Sequence, residues 1–395
     1  MEFNIKTKQK IHLWPEEPTI QEGFITTGFT LEYPQGDRFL AWYRLPEVYS
    51  NWITKGSNPF VLGALFTAMR TASDLVTHGK VSPILLQNLE EFQSAYASWY
   101  PQLYNRIDIQ ADIEKEQERS ATTAAISTFS GGVDSCFTAW RHRKGKAGRS
   151  TRDLRAGLIL HGFDIPIGRI TTFERVTRKV KILLDSLNME MIPMTFNLKK
   201  LGGNLIHTQG TFLGSCMSLL QGGFVTGIIP STNSYANLNI RYGTNPITDH
   251  LLSSETFSIV HDNCSYSRSE KVREISNWPE ALDHLRVCLR EDRSERDKNC
   301  CRCEKCVRTI LEFRSLGLGL PPCFEKDISA NHIMSLKYNK NFIYFYKEII
   351  KDSKKSKVSG LWVGAIYLSI FINRIRQIIK NSPSVRRIHQ ATKKL

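Results

Sequence analysis

The chain has 395 residues, of which 41% are hydrophobic and 23% charged, with nine cysteines and a formal net charge of +15. Those fractions belong to a soluble globular chain, long enough for two domains or for one large domain with an appendage. The opening Met1-Glu2-Phe3-Asn4-Ile5-Lys6 has no apolar core, and four cysteines crowd into Cys300–Cys306. No signal peptide or secreted disulfide framework is therefore expected, but a metal in a reducing, cytoplasmic setting is.

In chain order, Phe24–Tyr33 and Arg38–Tyr43 read as strands joined by the turn Pro34-Gln35-Gly36-Asp37. Phe60–Met69 and Ile84–Trp99 read as helices, the second with Ser82 as cap and Pro83 in its first turn. Arg106–Ile113 reads as a returning strand. Together they suggest a small α+β domain over residues 1–118, closed by the charged stretch Glu114–Arg119. Its aromatics, Trp42, Tyr43, Trp52, Trp99 and Tyr100, could line a substrate site, but core packing is the expectation.

From Ala121 strand and helix alternate, which predicts a parallel α/β sheet with helices on both faces over residues 119–325. Ala124-Ala125-Ile126 is the first buried strand. Ser127-Thr128-Phe129-Ser130-Gly131-Gly132-Val133-Asp134-Ser135 follows, and Cys136–Arg143 reads as a helix with Phe137 and Trp140 inward. A strand, a loop with two glycines and a helix can cradle an anion. The glycines let backbone N–H groups approach it, the helix N-terminus adds partial positive charge, and the Ser130 and Ser135 hydroxyls can donate. The glycine spacing fits neither a Walker loop nor the dinucleotide fingerprint.

Further strands are expected at Ala156–Leu160, Met189–Met194 and Phe224–Ile229, and helices at Thr172–Leu187 and Thr211–Leu220. His161 and Asp164 lie just past the first of these strands, and His207-Thr208-Gln209-Gly210 leads into the second helix. Each histidine can be read as a ligand contact or as a structural hydrogen-bonding residue. Ser269 is expected to cap a helix running to about Trp278, whose Arg268 and Lys271 could hold a phosphate or carboxylate; the alternative is a solvated helix start.

Cys288, Cys300, Cys303 and Cys306 make the pattern C-x11-C-x2-C-x2-C. Two x2 gaps place thiolates on a tight knuckle, and the distant fourth closes a tetrahedron, which suits structural zinc; an iron–sulfur cluster is the alternative. Cys301 is the spare, expected to point away from the others. Glu304–Leu316 then reads as a helix ended by Gly317 and Gly319.

From Lys326 to Leu395 fifteen lysines and arginines face three acids, a balance of +12 that leaves +3 for residues 1–325. Residues 326–395 are read as a basic, partly helical extension that recruits nucleic acid, an anionic membrane or a protein. The competing reading is a helix packed on the body. Leu361–Ile372 is apolar over only twelve residues, short of the roughly twenty a spanning helix needs.

The stretch Ser130-Gly131-Gly132-Val133-Asp134-Ser135 resembles the PP-loop of the ATP pyrophosphatase superfamily. With the later cysteine knuckle, residues 121–320 are similar to the 7-cyano-7-deazaguanine synthase family of the queuosine pathway. The resemblance implies a Rossmann-like sheet of the adenine nucleotide alpha hydrolase type, with ATP and Mg2+ on Ser130, Gly131, Gly132, Val133, Asp134 and Ser135. Leu160 and His161 would read adenine, and Asp164 would reach a ribose hydroxyl or Mg2+. It also implies Zn2+ on Cys288, Cys300, Cys303 and Cys306, and catalytic roles for Asp134, Ser135 and Lys271. The implied reaction adenylates a small-molecule carboxylate, which an amine donor then attacks.

Departures from the family put the substrate in doubt. His161-Gly162-Phe163-Asp164 stands where a Tyr-Gly-Gln-type motif is usual, and His207-Thr208-Gln209-Gly210 replaces an Arg-Asn pair. Residues 1–120 and the basic tail have no counterpart. The expectation is a paralogue with its own acceptor, of the kind found in defence or surface-glycan gene clusters, with a homodimer as one possible assembly. The alternatives are tRNA thiolation and a non-catalytic zinc-stabilised binding module.

Overall fold

The computed structural model describes residues 8–238, 241–288, 299–338 and 342–381. β1 (Lys10–Gln21), β2 (Phe24–Glu32) and β3 (Arg38–Pro46) form an antiparallel meander. α1 (Asn58–Thr71) leads to β4 (Asp74–Val81), parallel to β1, and α2 (Pro83–Trp99) leads to β5 (Ile109–Glu114), parallel to β4. The Ser82 hydroxyl accepts from the Leu85 amide with Pro83 behind it, which fixes the start of α2 where its sequence places it.

The alternating segment follows as β6 (Ala124–Thr128), α3 (Val133–Arg143), β7 (Asp153–His161), α4 (Ile170–Asp185), β8 (Glu190–Phe196), α5 (Leu205–Ser218), β9 (Thr226–Pro230) and β10 (Ser258–Asp262). α5 begins earlier than expected, because the Asn204 side chain caps the Ile206 amide at 3.0 Å. His207–Gly210 are therefore helical. Among the described residues ten strands form one sheet in the order β10-β9-β6-β7-β8-β3-β2-β1-β4-β5. Pairing is parallel except along β8–β3–β2–β1, so the fold is α/β with a mostly parallel sheet flanked by helices.

β6 is buried over Ala124–Ser127, as a strand covered on both faces must be. On neighbouring β7, a Cβ at Gly157 would come within 2.7 Å of Leu184, so glycine there lets α4 lie close on the sheet.

The boundary expected near residue 118 falls inside this sheet. Contacts divide the chain into residues 1–130 with 134–265, and residues 131–133 with 266–395. The join between β3 and β8 explains the continuity. Tyr43 and Arg44 pair with Phe196 and Thr195. Beyond them the Asn197 side chain accepts from the Trp42 amide at 2.8 Å and donates to the Leu40 carbonyl at 2.9 Å. The Tyr43 hydroxyl also meets that of Ser215 on α5 at 2.6 Å. Of the five aromatics expected in the core only Tyr43 is buried; Trp42, Trp52, Trp99 and Tyr100 are half-buried, the last three packed against the core.

The second unit contains α6 (Arg268–Ile275), α7 (Pro279–His284), α8 (Glu304–Ser315), α9 (Ala330–Ser335), α10 (Ile343–Lys355) and α11 (Leu361–Asn381). Here the basic segment is built into the fold. Phe345, Tyr346, Ile349, Ile350, Trp362 and Ile366 are buried, and the Arg308 guanidinium of α8 lies 4.0 Å from the Phe345 ring centroid. Asn373 on α11 donates to the Leu336 and Ser369 carbonyls, both at 2.9 Å. No helix among the described residues is long and apolar enough to cross a membrane.

Burying each of those six side chains contributes about 1.5–3 kcal/mol. The sum is on the order of 10 kcal/mol, as large as the whole stability of an ordinary domain. A chain ended at Lys326 is therefore expected to aggregate or to melt well below the full-length protein in a thermal scan. Unchanged melting would show that these helices are dispensable.

Candidate functional site

The Ser130–Ser135 loop leaves the carboxyl end of β6. On one side of β6 the order runs to β7 and β8, on the other to β9 and β10, so the strand order reverses between β6 and β9. In open α/β sheets the loops that part at such a reversal leave a crevice where ligands bind. Phe129 is buried and its amide donates to the Leu158 carbonyl at 2.8 Å, carrying the ladder one residue past the strand. Gly131 then turns the chain at φ 74°, a left-handed conformation that a side chain would strain. α3 starts at Val133, with Asp134 in its first turn. Ser130 is exposed and Ser135 buried, their hydroxyl oxygens 3.4 Å apart.

The next turns of α3 anchor it to the end of β10. Thr138 donates to Asp262 at 3.0 Å, and Arg141 and His142 approach the same carboxylate at 3.4 and 3.5 Å. Burial alone would raise the Asp262 pKa. The opposing pull of His142, Arg141 and Thr138 is greater and holds the carboxyl below its ordinary range.

The residues expected at the adenine end are placed less favourably for ligand contact. Leu160 and His161 end β7 beside β6, but the two His161 ring nitrogens face the Pro166 carbonyl at 3.0 Å and the Thr195 hydroxyl at 3.5 Å. The ring stacks on Phe173, and burial lowers its pKa. These contacts engage both ring nitrogens of His161 within the protein. Asp164 is exposed on the turn beyond. His207 is also built in, 2.9 Å from the Tyr104 hydroxyl and stacked on Tyr100.

A buried pair missed in the sequence lies on the same edge of the sheet. His261 Nδ1 meets an Asp249 carboxylate oxygen at 2.7 Å. An Asn245 turn presents Asp249: the Asn245 side chain accepts from the Ile247 and Thr248 amides, and its own amide donates to Asp249. Burial raises the Asp249 pKa and would by itself lower that of His261. The hydrogen bond to Asp249, with the neighbouring Cys264 thiol, outweighs burial and holds His261 up to about 9. Phe257, Ile259 and Val260 just before His261-Asp262-Asn263 are the signal that could have revealed this strand end.

A histidine whose pKa is higher folded than unfolded stabilises fully below the unfolded value of 6.5 and loses that contribution as pH rises through about 9. The stability difference between the wild type and His261→Gln should thus shrink across that window, by at most ~1.4 kcal/mol per pH unit. Denaturant titrations at several pH values measure it. A difference that stays constant or grows would disprove a charged pair.

In the second unit, α6 is capped by Ser267, not Ser269. The Ser267 side chain and Glu270 exchange hydrogen bonds in a capping box. Arg268 is engaged inside the protein, with Nε 3.0 Å from a Glu312 oxygen. Lys271 is fully buried in α6.

The four cysteines of the spaced pattern do come together. The sulfurs of Cys288, Cys300, Cys303 and Cys306 all lie within 4.8 Å of one another. Cys300 and Cys306 are 3.8 Å apart and Cys303 and Cys306 3.3 Å apart. A tetrahedron with metal–sulfur bonds of about 2.3 Å has edges of about 3.8 Å, so the set fits one ion. Cys303 caps α8 and Cys306 lies in its first turn, where the helix dipole favours thiolate. Hydrogen bonding with Cys288 and Cys306 draws the Cys303 thiol below its ordinary range, against the opposing effect of Cys300.

Asn299 draws the distant ligand in. Its side-chain oxygen accepts from the Val287 and Cys288 amides at 3.0 and 3.1 Å, and its nitrogen donates to the Leu285 and Cys323 carbonyls. Cys301 adopts φ 56° and directs its sulfur to the Asn299 carbonyl at 3.3 Å. It stands outside the ligand set, as its spacing implies.

No family model, curated protein or solved structure matches this chain.

Proposed function

We propose that this protein is an ATP-dependent enzyme of the PP-loop pyrophosphatase type, with a Rossmann-like sheet, that activates a substrate carboxylate for attack by an amine. One observation carries the reading. The Ser130–Ser135 loop leaves β6 where the strand order reverses and runs straight into the first turn of α3. Its likeness in residues to the PP-loop adds the choice of ATP over other anions.

In this reading the Gly131 and Gly132 amides and the Ser130 and Ser135 hydroxyls receive the pyrophosphate end of ATP. A substrate carboxylate oxygen attacks the α-phosphorus, and the bond to the bridging oxygen breaks. Pyrophosphate leaves with that electron pair. The amine then attacks the activated carbonyl carbon, AMP departs and the amine gives up a proton. Magnesium would neutralise charge on the departing pyrophosphate, and Asp134 is the carboxylate assigned to hold it. The cysteine set would hold zinc. Four thiolates at single-ion spacing leave no open position, so the metal is structural.

The departures at His161–Asp164 and His207–Gly210 point to an acceptor other than a deazapurine. ATP–pyrophosphate exchange across a panel of carboxylic acids tests the proposal, with exchange expected only when the right acid is present. A chain that neither binds ATP in calorimetry nor exchanges pyrophosphate would overturn it.

A further inference from the structure

α11 has two apolar faces, and among the described residues only one is covered. Trp362, Ala365, Ile366, Ile370 and Asn373 face the interior at helical spacing. Tyr367, Leu368, Phe371, Ile375, Ile378 and Ile379 recur at the same spacing on another side, each 39–70% exposed. A surface helix of a globular protein normally turns a polar stripe outward, and a continuous exposed apolar one marks something that binds there.

Charge identifies the occupant. From Leu361 to Leu395 there are seven lysines and arginines and no acid. Exposed Arg374 adjoins the apolar stripe, and Arg386, Arg387, Lys393 and Lys394 follow in the sequence. A second copy of this chain would bring two such cationic segments together without a countercharge. Nucleic acid would answer the charge but leave the isoleucine and leucine stripe unused, since its duplex surface is phosphate and sugar. An anionic lipid surface answers both, with side chains entering the acyl boundary and cations among the headgroups.

We propose that the exposed face of α11 docks this protein on anionic membrane surfaces, lying in the interface without crossing it. The test is flotation of the full-length chain with vesicles of phosphatidylcholine alone or with added phosphatidylglycerol. Binding is expected only with phosphatidylglycerol. It should fall at least tenfold in Phe371→Asp/Ile378→Asp and be partly reversed by salt. Because both residues are exposed, this double variant should keep its melting temperature and metal content. Phe371→Trp should retain binding, and its emission should shift to the blue on vesicles.

Equal binding to both vesicle types, or binding untouched by the double variant, would overturn the proposal. A wild-type chain that ignores vesicles would also overturn it. If that chain instead dimerises with concentration in light scattering, the face belongs to a second copy. Retention of an oligonucleotide that the double variant does not weaken would assign the cations to nucleic acid.

Discussion

Serine in place of Cys303 is expected to empty the metal centre and lower the melting temperature by roughly 10 °C or more. The unfolded chain holds no preformed site, so the free energy of metal binding enters folding directly. For structural zinc that is on the order of 10 kcal/mol, comparable to a domain's whole stability. Cys303 carries two structural roles at once, because its sulfur lies 3.3 Å from Cys306 and its backbone caps α8. Serine preserves the cap, which isolates the loss of the thiolate. Cys301→Ser is the internal control: its sulfur bonds the Asn299 carbonyl and the left-handed backbone is unchanged, so metal content and melting should stay near wild type. Elemental analysis and thermal unfolding read both variants. Full metal content in Cys303→Ser would dismiss the site, and iron with a visible charge-transfer band would replace zinc.

Asp134→Ala is expected to lower ATP–pyrophosphate exchange by at least ~100-fold, the scale seen when one group that stabilises transition-state charge is removed. Stability should change little. Asp134 is only half-buried in the first turn of α3, where a carboxylate's interaction with the helix dipole contributes about 0.3–1 kcal/mol. That gap separates a chemical role from a structural one. Exchange at the wild-type rate would remove Asp134 from the mechanism and, with it, the assignment of the loop to pyrophosphate.

Motifs whose geometry is local were legible in the sequence. The Ser130–Ser135 turn, the Ser82-Pro83 helix start and the Cys300–Cys306 knuckle all depend on neighbours within a few positions. What escaped depends on distant partners. β1 carries Pro15 and Pro18 and a register shift between Glu16 and Thr19, so its sequence does not alternate like a strand; β2 and β4 hold it in place. β10 has only five residues, and Ser258 and His261 break its apolar signal, which the apolar runs of the equally short β6 and β9 keep. Nothing local to Asn197 or Tyr43 announces that they join two halves of one sheet. The Asp249–His261 pair likewise requires knowing that the Asn245 turn faces the end of β10. In the tail, Leu361–Ile372 was legible as a candidate packed helix, and Trp362, Ile366 and Ile370 are buried.

The continuity of the sheet also bears on how the chain avoids self-association. Without the first three strands β8 would be an outer strand, offering unpaired amides and carbonyls to any other chain. β3 takes that place, and among the described residues that margin of the sheet moves out to β5. It is short, at six residues. It carries the exposed carboxylates of Asp112 and Glu114. A brief strand bearing carboxylates is a poor template for a further strand, because pairing would bring charge against backbone with little ladder to offset it. The N-terminal segment thus moves this rim of the sheet from an apolar strand to an acidic one, a protective role independent of anything the loops bind.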